Sequence, residues 1–140
     1  MKRYEFLDHT ADEKFKAFGR TLEEAFTNAA LATASLMWDC GKIEKKIKHE
    51  VETNGRDLKQ LLFNFLEEII YLLDVEMFLL GSVDKVRIKR ERNKFFLEAV
   101  FEGDKYSENY EIYGDVKAIT YNEMEIKKDY PISIQVVVDV

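Results

Sequence analysis

The amino-acid sequence predicts an α+β fold: two helices packed on one side of a mixed, largely antiparallel β-sheet, in a single domain spanning residues 1–140. Three observations predict it. Two apolar stretches of helical period each follow a capping signal, at Thr21 and at Asp57. From Val83 onward the chain reads as short strands separated by turns, and Ile132 to Asp139 alternates with the period of two that a strand requires. Only one proline and six glycines occur in 140 residues, which leaves short loops and little linker. Hydrophobic residues at 46% and charged residues at 34% describe a folded domain with a real core.

The elements follow in order. Tyr4 with Phe6, then Phe15 with Ala17, read as short alternating strands on either side of the polar cluster Asp8-His9-Thr10-Ala11-Asp12. Thr21 opens the first helix and Glu24 completes a capping box three residues later. Leu22, Phe26, Ala29 and Leu36 mark its apolar face, and the alanines among them imply close packing on a sheet. This helix is expected to end near Asp39-Cys40-Gly41. Ile43 to Thr53 is lysine-rich and β-branched and reads as a strand, closed by a turn at Asn54-Gly55. Asp57, with Gln60 at the box position, caps a second helix whose broad apolar face includes Leu61, Phe65, Ile69 and Leu72. The pattern of strand followed by capped helix occurs twice, which raises an internal duplication. Val83 to Ile88 and Phe95 to Phe101 form a hairpin, with a further turn at Glu102-Gly103-Asp104. Val116 to Ile119, Met124 with Ile126, and Ile132 to Val138 complete the sheet, the last strand placing Asp139 on the face opposite Val138.

Charge and cysteine content exclude several classes. A net charge of -6 argues against a dedicated nucleic-acid binder while leaving room for a local basic patch. Cys40 is the only cysteine, so neither an internal disulfide nor a cysteine-rich zinc site can form. The first residues do not lead into the apolar core of a signal peptide, and no apolar run reaches membrane-spanning length. A cytoplasmic location is expected.

The chemistry concentrates in carboxylates. An apolar strand carries Asp139 and the main-chain carboxylate of Val140 almost to the end of the chain, and Asp12 lies in the polar cluster near the start. Together they would form an oxygen-rich site for a hard divalent cation, Ca²⁺ above all, or Mg²⁺ or Mn²⁺. Asp12 also suits a plain turn, and Asp139 a solvated terminus. His9 reads as a hydrogen-bonding group, or as one that orients a ligand carboxylate. His49, between Lys48 and Glu50, reads as solvated surface. Asp39 closes a helix whose C-terminal dipole disfavours an anion, which marks it as functional or merely tolerated. Lys117 interrupts the apolar run Val116-Lys117-Ala118-Ile119, exposed by strand alternation or set against a carboxylate or phosphate. No nucleophile-and-base arrangement is visible, nor a nucleotide glycine loop.

These segments taken together resemble the archease family. His9-Thr10-Ala11-Asp12, Gly19-Arg20-Thr21-Leu22-Glu23-Glu24-Ala25-Phe26, the helix from Asp57 through Leu72, Val116-Lys117-Ala118-Ile119-Thr120-Tyr121 and Val137-Val138-Asp139-Val140 occur in family order and span nearly the whole chain. The resemblance implies a non-catalytic protein cofactor of the tRNA-splicing RNA ligase, acting in tRNA processing. It would promote guanylylation of the ligase's histidine and multiple turnover, with the GTP belonging to the ligase. It carries the family's metal site onto Asp12, Asp139 and Val140, and accessory roles onto Asp39 and Lys117. The chain departs from the family in having Asn122 where many members carry a histidine, in lacking a histidine around Ser107-Tyr110, and in having Phe65 for a common tryptophan. An alternative is a chaperone-like scaffold for RNA-modification enzymes such as a tRNA methyltransferase. A third reading, a stand-alone metal-dependent phosphatase or nuclease, has few ligands to support it. The acidic balance gives no support to direct tRNA contact.

Overall fold

The computed structural model describes residues 1–140. The strands β1 (Tyr4–Leu7) and β2 (Glu13–Gly19) precede helix α1 (Leu22–Ser35), and a 3₁₀ turn follows at Cys40–Lys42. Strand β3 (Ile47–Gly55) leads to helix α2 (Leu58–Glu76), then to the long hairpin β4 (Phe78–Glu91) and β5 (Lys94–Lys105). Strands β6 (Ala118–Ile119), β7 (Glu125–Lys127) and β8 (Ile132–Asp139) complete the chain. The α+β class, the two helices and the antiparallel character agree with the sequence. The strands are entirely antiparallel and divide between two sheets. One has the order β1-β2-β8-β6 with β7 also on β8, the other the order β3-β5-β4. Helix α1 packs on β2 and β8 of the first sheet and on β4 of the second, whereas α2 packs mainly on β3, β4 and β5. Alanines at 25, 29, 30, 32 and 34 are fully buried and let α1 approach both sheets closely.

Both helix starts are built alike. The Glu24 N–H donates to Thr21 Oγ1 at 3.1 Å, and Glu24 Oε1 accepts from the Arg20 N–H at 3.1 Å. The Gln60 N–H donates to Asp57 Oδ1 at 2.8 Å, and Gln60 Oε1 accepts from the Arg56 N–H at 2.8 Å. One turn on, Asn28 Nδ2 donates to Phe18 O at 2.7 Å and Asn64 Nδ2 to Asn54 O at 2.8 Å. Gly19 and Gly55 stand where any Cβ would strike the helix backbone, at Ala25 N and Leu61 N. The run Gly-Arg-Thr-Leu at 19–22 and Gly-Arg-Asp-Leu at 55–58 thus performs the same job twice, a duplication visible in the hydrogen bonds as well as the letters.

Several boundaries differ from the sequence expectation. Strand β3 begins at Ile47, not Ile43, and keeps Asn54 and Gly55 paired with Phe96 and Phe95 instead of turning there, and β4 begins at Phe78, not Val83. Helix α1 ends at Ser35, not near Asp39, because Trp38 turns into the core. Its ring is fully buried and Nε1 donates to Leu80 O at 2.8 Å. The freed helix carbonyls are satisfied from the 113 segment: Tyr113 Oη donates to Ser35 O at 2.7 Å and the Tyr113 N–H to Met37 O at 2.9 Å. No turn occurs at Glu102-Gly103-Asp104. Strand β5 runs through to Lys105, and Gly103 is there because a Cβ would collide with Leu79 O of the paired strand.

The core joins both layers. Phe26 of α1 lies 6.0 Å from Phe65 of α2, and Phe65 lies 5.6 Å from Phe101 of β5, centroid to centroid. Thirty-one buried residues form one continuous cluster, so α1, α2 and both sheets share one core.

Candidate functional site at the β2–β8–β6 end

The end of the first sheet is set by register. Glu13 pairs with Val138, Phe15 with Val136 and Ala17 with Ile134, so the next position outward sets Asp12 across from Asp139. On the other edge Ala118 pairs with Asp139, which sets Lys117 across from Val140. The Lys117 N–H donates to Asp139 O at 2.7 Å. Asp139 is therefore the last paired residue of an inner strand, not a frayed tail. Its side chain is exposed, as are Lys117 and Val140, while Asp12 is half-buried. Alternation places Asp139 on the sheet face opposite the fully buried Val136 and Val138.

The loop that delivers Asp12 is tightly wound. Ala11 has φ 70°, left-handed backbone that a residue with a Cβ rarely adopts, directly before Asp12. His9 does not reach Asp12. Its Nε2 bonds Glu123 Oε2 at 2.8 Å, and Lys14 Nζ donates to Glu123 Oε1 at 3.1 Å. The hydrogen bond from His9 first, and then Lys14, hold the Glu123 carboxyl below its ordinary value. His9 Nδ1 is buried with no partner. Glu123 was not legible as a site neighbour: it lies 114 residues from His9 and takes its place at φ 54°.

Asp12, Asp139 and Val140 supply hard oxygens at one sheet end, with Lys117 beside them. The donor set suits a hard divalent cation: two side-chain carboxylates from paired positions and one main-chain carboxylate. No three His, Cys, Asp or Glu side chains gather into a metal-holding group.

Asp39 is separate from this pairing. It lies beyond the end of α1, and Oδ1 accepts from the Gly41 N–H at 2.9 Å to cap the 3₁₀ turn. Its charge thus has a local use, contrary to the reading of a misplaced helix-end anion. It also lines a groove of about 1140 Å³ that runs beside α1. Its neighbour Cys40 has its thiol pushed up to about 12, first by burial and then by Asp39. His49 is not plain surface: it packs edge-on against Phe78 at 4.6 Å and faces Glu76 at 3.6 Å.

Comparison with known proteins decides the relationship. Residues 4–140 match the model of the Archease protein family. The chain belongs to the archease family. It is 41% identical over 129 residues to protein archease of Pyrococcus furiosus, covering 91% of this chain and 90% of that one. With protein archease of Sulfolobus acidocaldarius it shares 41% over 130 residues, 92% and 91% of the two chains. The solution structure of Methanobacterium thermoautotrophicum protein 1598 superposes with a TM-score of 0.85 at 34% identity, covering 100% of both chains. No helix of this archease is long and apolar enough to cross a membrane.

Proposed function

We propose that this archease is a non-catalytic activator of a tRNA-splicing RNA ligase, and that it acts through a divalent-metal site formed by Asp12, Asp139 and the carboxylate of Val140. The observation that carries the reading is the register, which sets Asp12 against Asp139 and fixes Asp139 through the Lys117 N–H. A bound divalent cation would supply charge neutralisation for nucleotide phosphates while the ligase histidine is guanylylated. Asp12 and Asp139 would hold it from two adjacent strands, and β8 would keep the Val140 carboxylate beside them. Lys117, exposed on the neighbouring strand, would pair with a phosphate or a carboxylate of the docked ligase. Asp39, exposed at the 3₁₀ turn, would orient the docked surfaces. The nucleophile and the GTP belong to the ligase. A cytoplasmic setting, with tRNA as the ligase's substrate, fits this role.

A multiple-turnover ligation assay with the cognate ligase, GTP and Mn²⁺ tests it. Wild-type protein should raise turnover, and folded Asp12→Asn and Asp139→Asn variants should not. Full stimulation by both variants would remove the metal site. No stimulation by the wild type, with an active ligase, would move the assignment to a scaffold for a tRNA methyltransferase.

A further inference from the structure

We propose that the groove beside α1 binds a single-stranded polynucleotide through its phosphates. The groove is walled by the first residues of the chain, by α1, by residues 39–45 and by residues 109–113. Its lining holds five basic side chains, Lys2, Arg3, Arg20, Lys42 and Lys45, against three carboxylates. That is a local positive excess in a chain whose net charge is -6. Two of the carboxylates are already engaged with backbone: Glu24 accepts from the Arg20 N–H and Asp39 from the Gly41 N–H.

Arg3, Arg20, Lys42 and Lys45 enter none of the chain's ion pairs. Lysines just outside the groove behave differently, Lys46 pairing with Glu44 at 2.8 Å and Lys48 lying 3.9 Å from Glu102. Four exposed cations from three separate segments therefore face one concave surface with their charges free. The lysine-rich stretch after Gly41 has no role in the sheet-end site and finds one here.

Tyr113 distinguishes a polynucleotide from a simple anion. It is 56% exposed, yet Oη and the backbone N–H are both bonded back to the end of α1, at 2.7 and 2.9 Å. The carboxylates nearest the ring are Asp39 and Glu111, so it lies to one side of the groove's basic residues, where an uncharged base and not a phosphate would meet it. A fixed, exposed ring is a stacking platform, and every base offers it a π-face. An acidic protein strand would satisfy the cations and leave this ring without a partner.

The test is fluorescence anisotropy of a short labelled oligouridylate with the purified protein, with neither ligase nor metal present. Its failure is thereby separate from failure of the ligase reading. Four phosphate contacts to a single strand give a slope of about -2.8 in log K against log salt, or roughly 50-fold weaker binding between about 50 and 200 mM salt. Substituting Arg3, Arg20, Lys42 and Lys45 together by Gln should abolish binding, and Lys45→Gln alone should flatten the slope by about 0.7. Tyr113→Leu should weaken binding about fivefold or more with the slope unchanged, and Tyr113→Phe should retain it. Gln at the exposed hairpin residues Arg92 and Lys94 should change nothing. The proposal is overturned if the wild type shows no salt-dependent binding, or if the fourfold variant binds as well as the wild type. Polyglutamate that competes charge for charge as well as RNA would also overturn it, and would reassign the groove to an acidic protein partner.

Discussion

Replacing Asp139 by Asn should raise the stability of the metal-free protein slightly while abolishing its stabilisation by Ca²⁺. The register sets Asp12 across from Asp139, and both side chains reach solvent. Opposed strand residues hold their Cβ atoms ~5 Å apart, so the carboxylates stand roughly 6 Å apart. At the dielectric constant of water that repulsion is ~0.7 kcal/mol, and salt screening roughly halves it. A protein of this size loses ~3 °C of melting temperature per kcal/mol, so D139N should melt about 1–2 °C higher in EDTA. Wild-type protein with Ca²⁺ at about 100 times its dissociation constant should gain ~2.7 kcal/mol, or ~9 °C. Neither D12N nor D139N should show that gain, whereas Asp129→Asn, an exposed carboxylate elsewhere, should keep it. Differential scanning calorimetry in EDTA and in excess Ca²⁺ reads both effects. Equal Ca²⁺ shifts in wild type and D139N would refute the site. A D139N midpoint several degrees lower in EDTA would refute the repulsion, by showing that the carboxylate makes a stabilising contact.

Three further outcomes follow from the same geometry. Thr21→Ala and Asp57→Ala should each cost about 1 kcal/mol, or ~3 °C, because each removes one half of a reciprocal helix cap; thermal unfolding checks both. Cys40, its thiol pushed up to about 12, should react far more slowly with a disulfide reagent in the native protein than in denaturant, where an ordinary thiol value returns. Glu123 is held below its ordinary 4.5 by His9 and Lys14, so its contribution is present above that pH and is lost as pH falls through the depressed value. E123Q should therefore remove part of the acid-side fall in stability, read from denaturant midpoints across a pH series.

The helix starts were legible because capping is local: Thr21 with Glu24 and Asp57 with Gln60 lie within four residues of each other, and both pairs bond as the letters indicate. The paired end of β8 was legible too, since apolar alternation from Ile132 to Val138 carries a strand to Asp139. What failed to show was long-range. Alternation assigns a residue to a face but names no partner strand, so nothing local divides the strands into two sheets. The end of α1 was misjudged because Trp38 leaves the helix for Leu80 O, 42 residues away. Glu123 and Ala11 rest on left-handed backbone at residues with no compositional cue for it. The groove escaped notice because its cations come from separate segments and only the fold brings them to one surface.

The groove and the carboxylate end are near neighbours with opposite charge. Tyr113 and Lys117 are four residues apart, so at most ~14 Å of chain separates them, and the Lys117 N–H is bonded to Asp139 O. A polynucleotide drawn to Arg3, Arg20, Lys42 and Lys45 would bring phosphates toward Asp12 and Asp139, which repel them until a cation joins the two carboxylates. A divalent cation there would have two effects at once: it would relieve the repulsion within the pair and cancel most of the negative field that an approaching phosphate meets. By linkage, whatever factor the metal adds to polynucleotide affinity, the polynucleotide adds to metal affinity. With the proposed metal site and the proposed groove both occupied, each ligand is expected to bind more tightly than alone; calorimetric titration of Ca²⁺ with and without oligouridylate reads that coupling, and equal affinities would refute it.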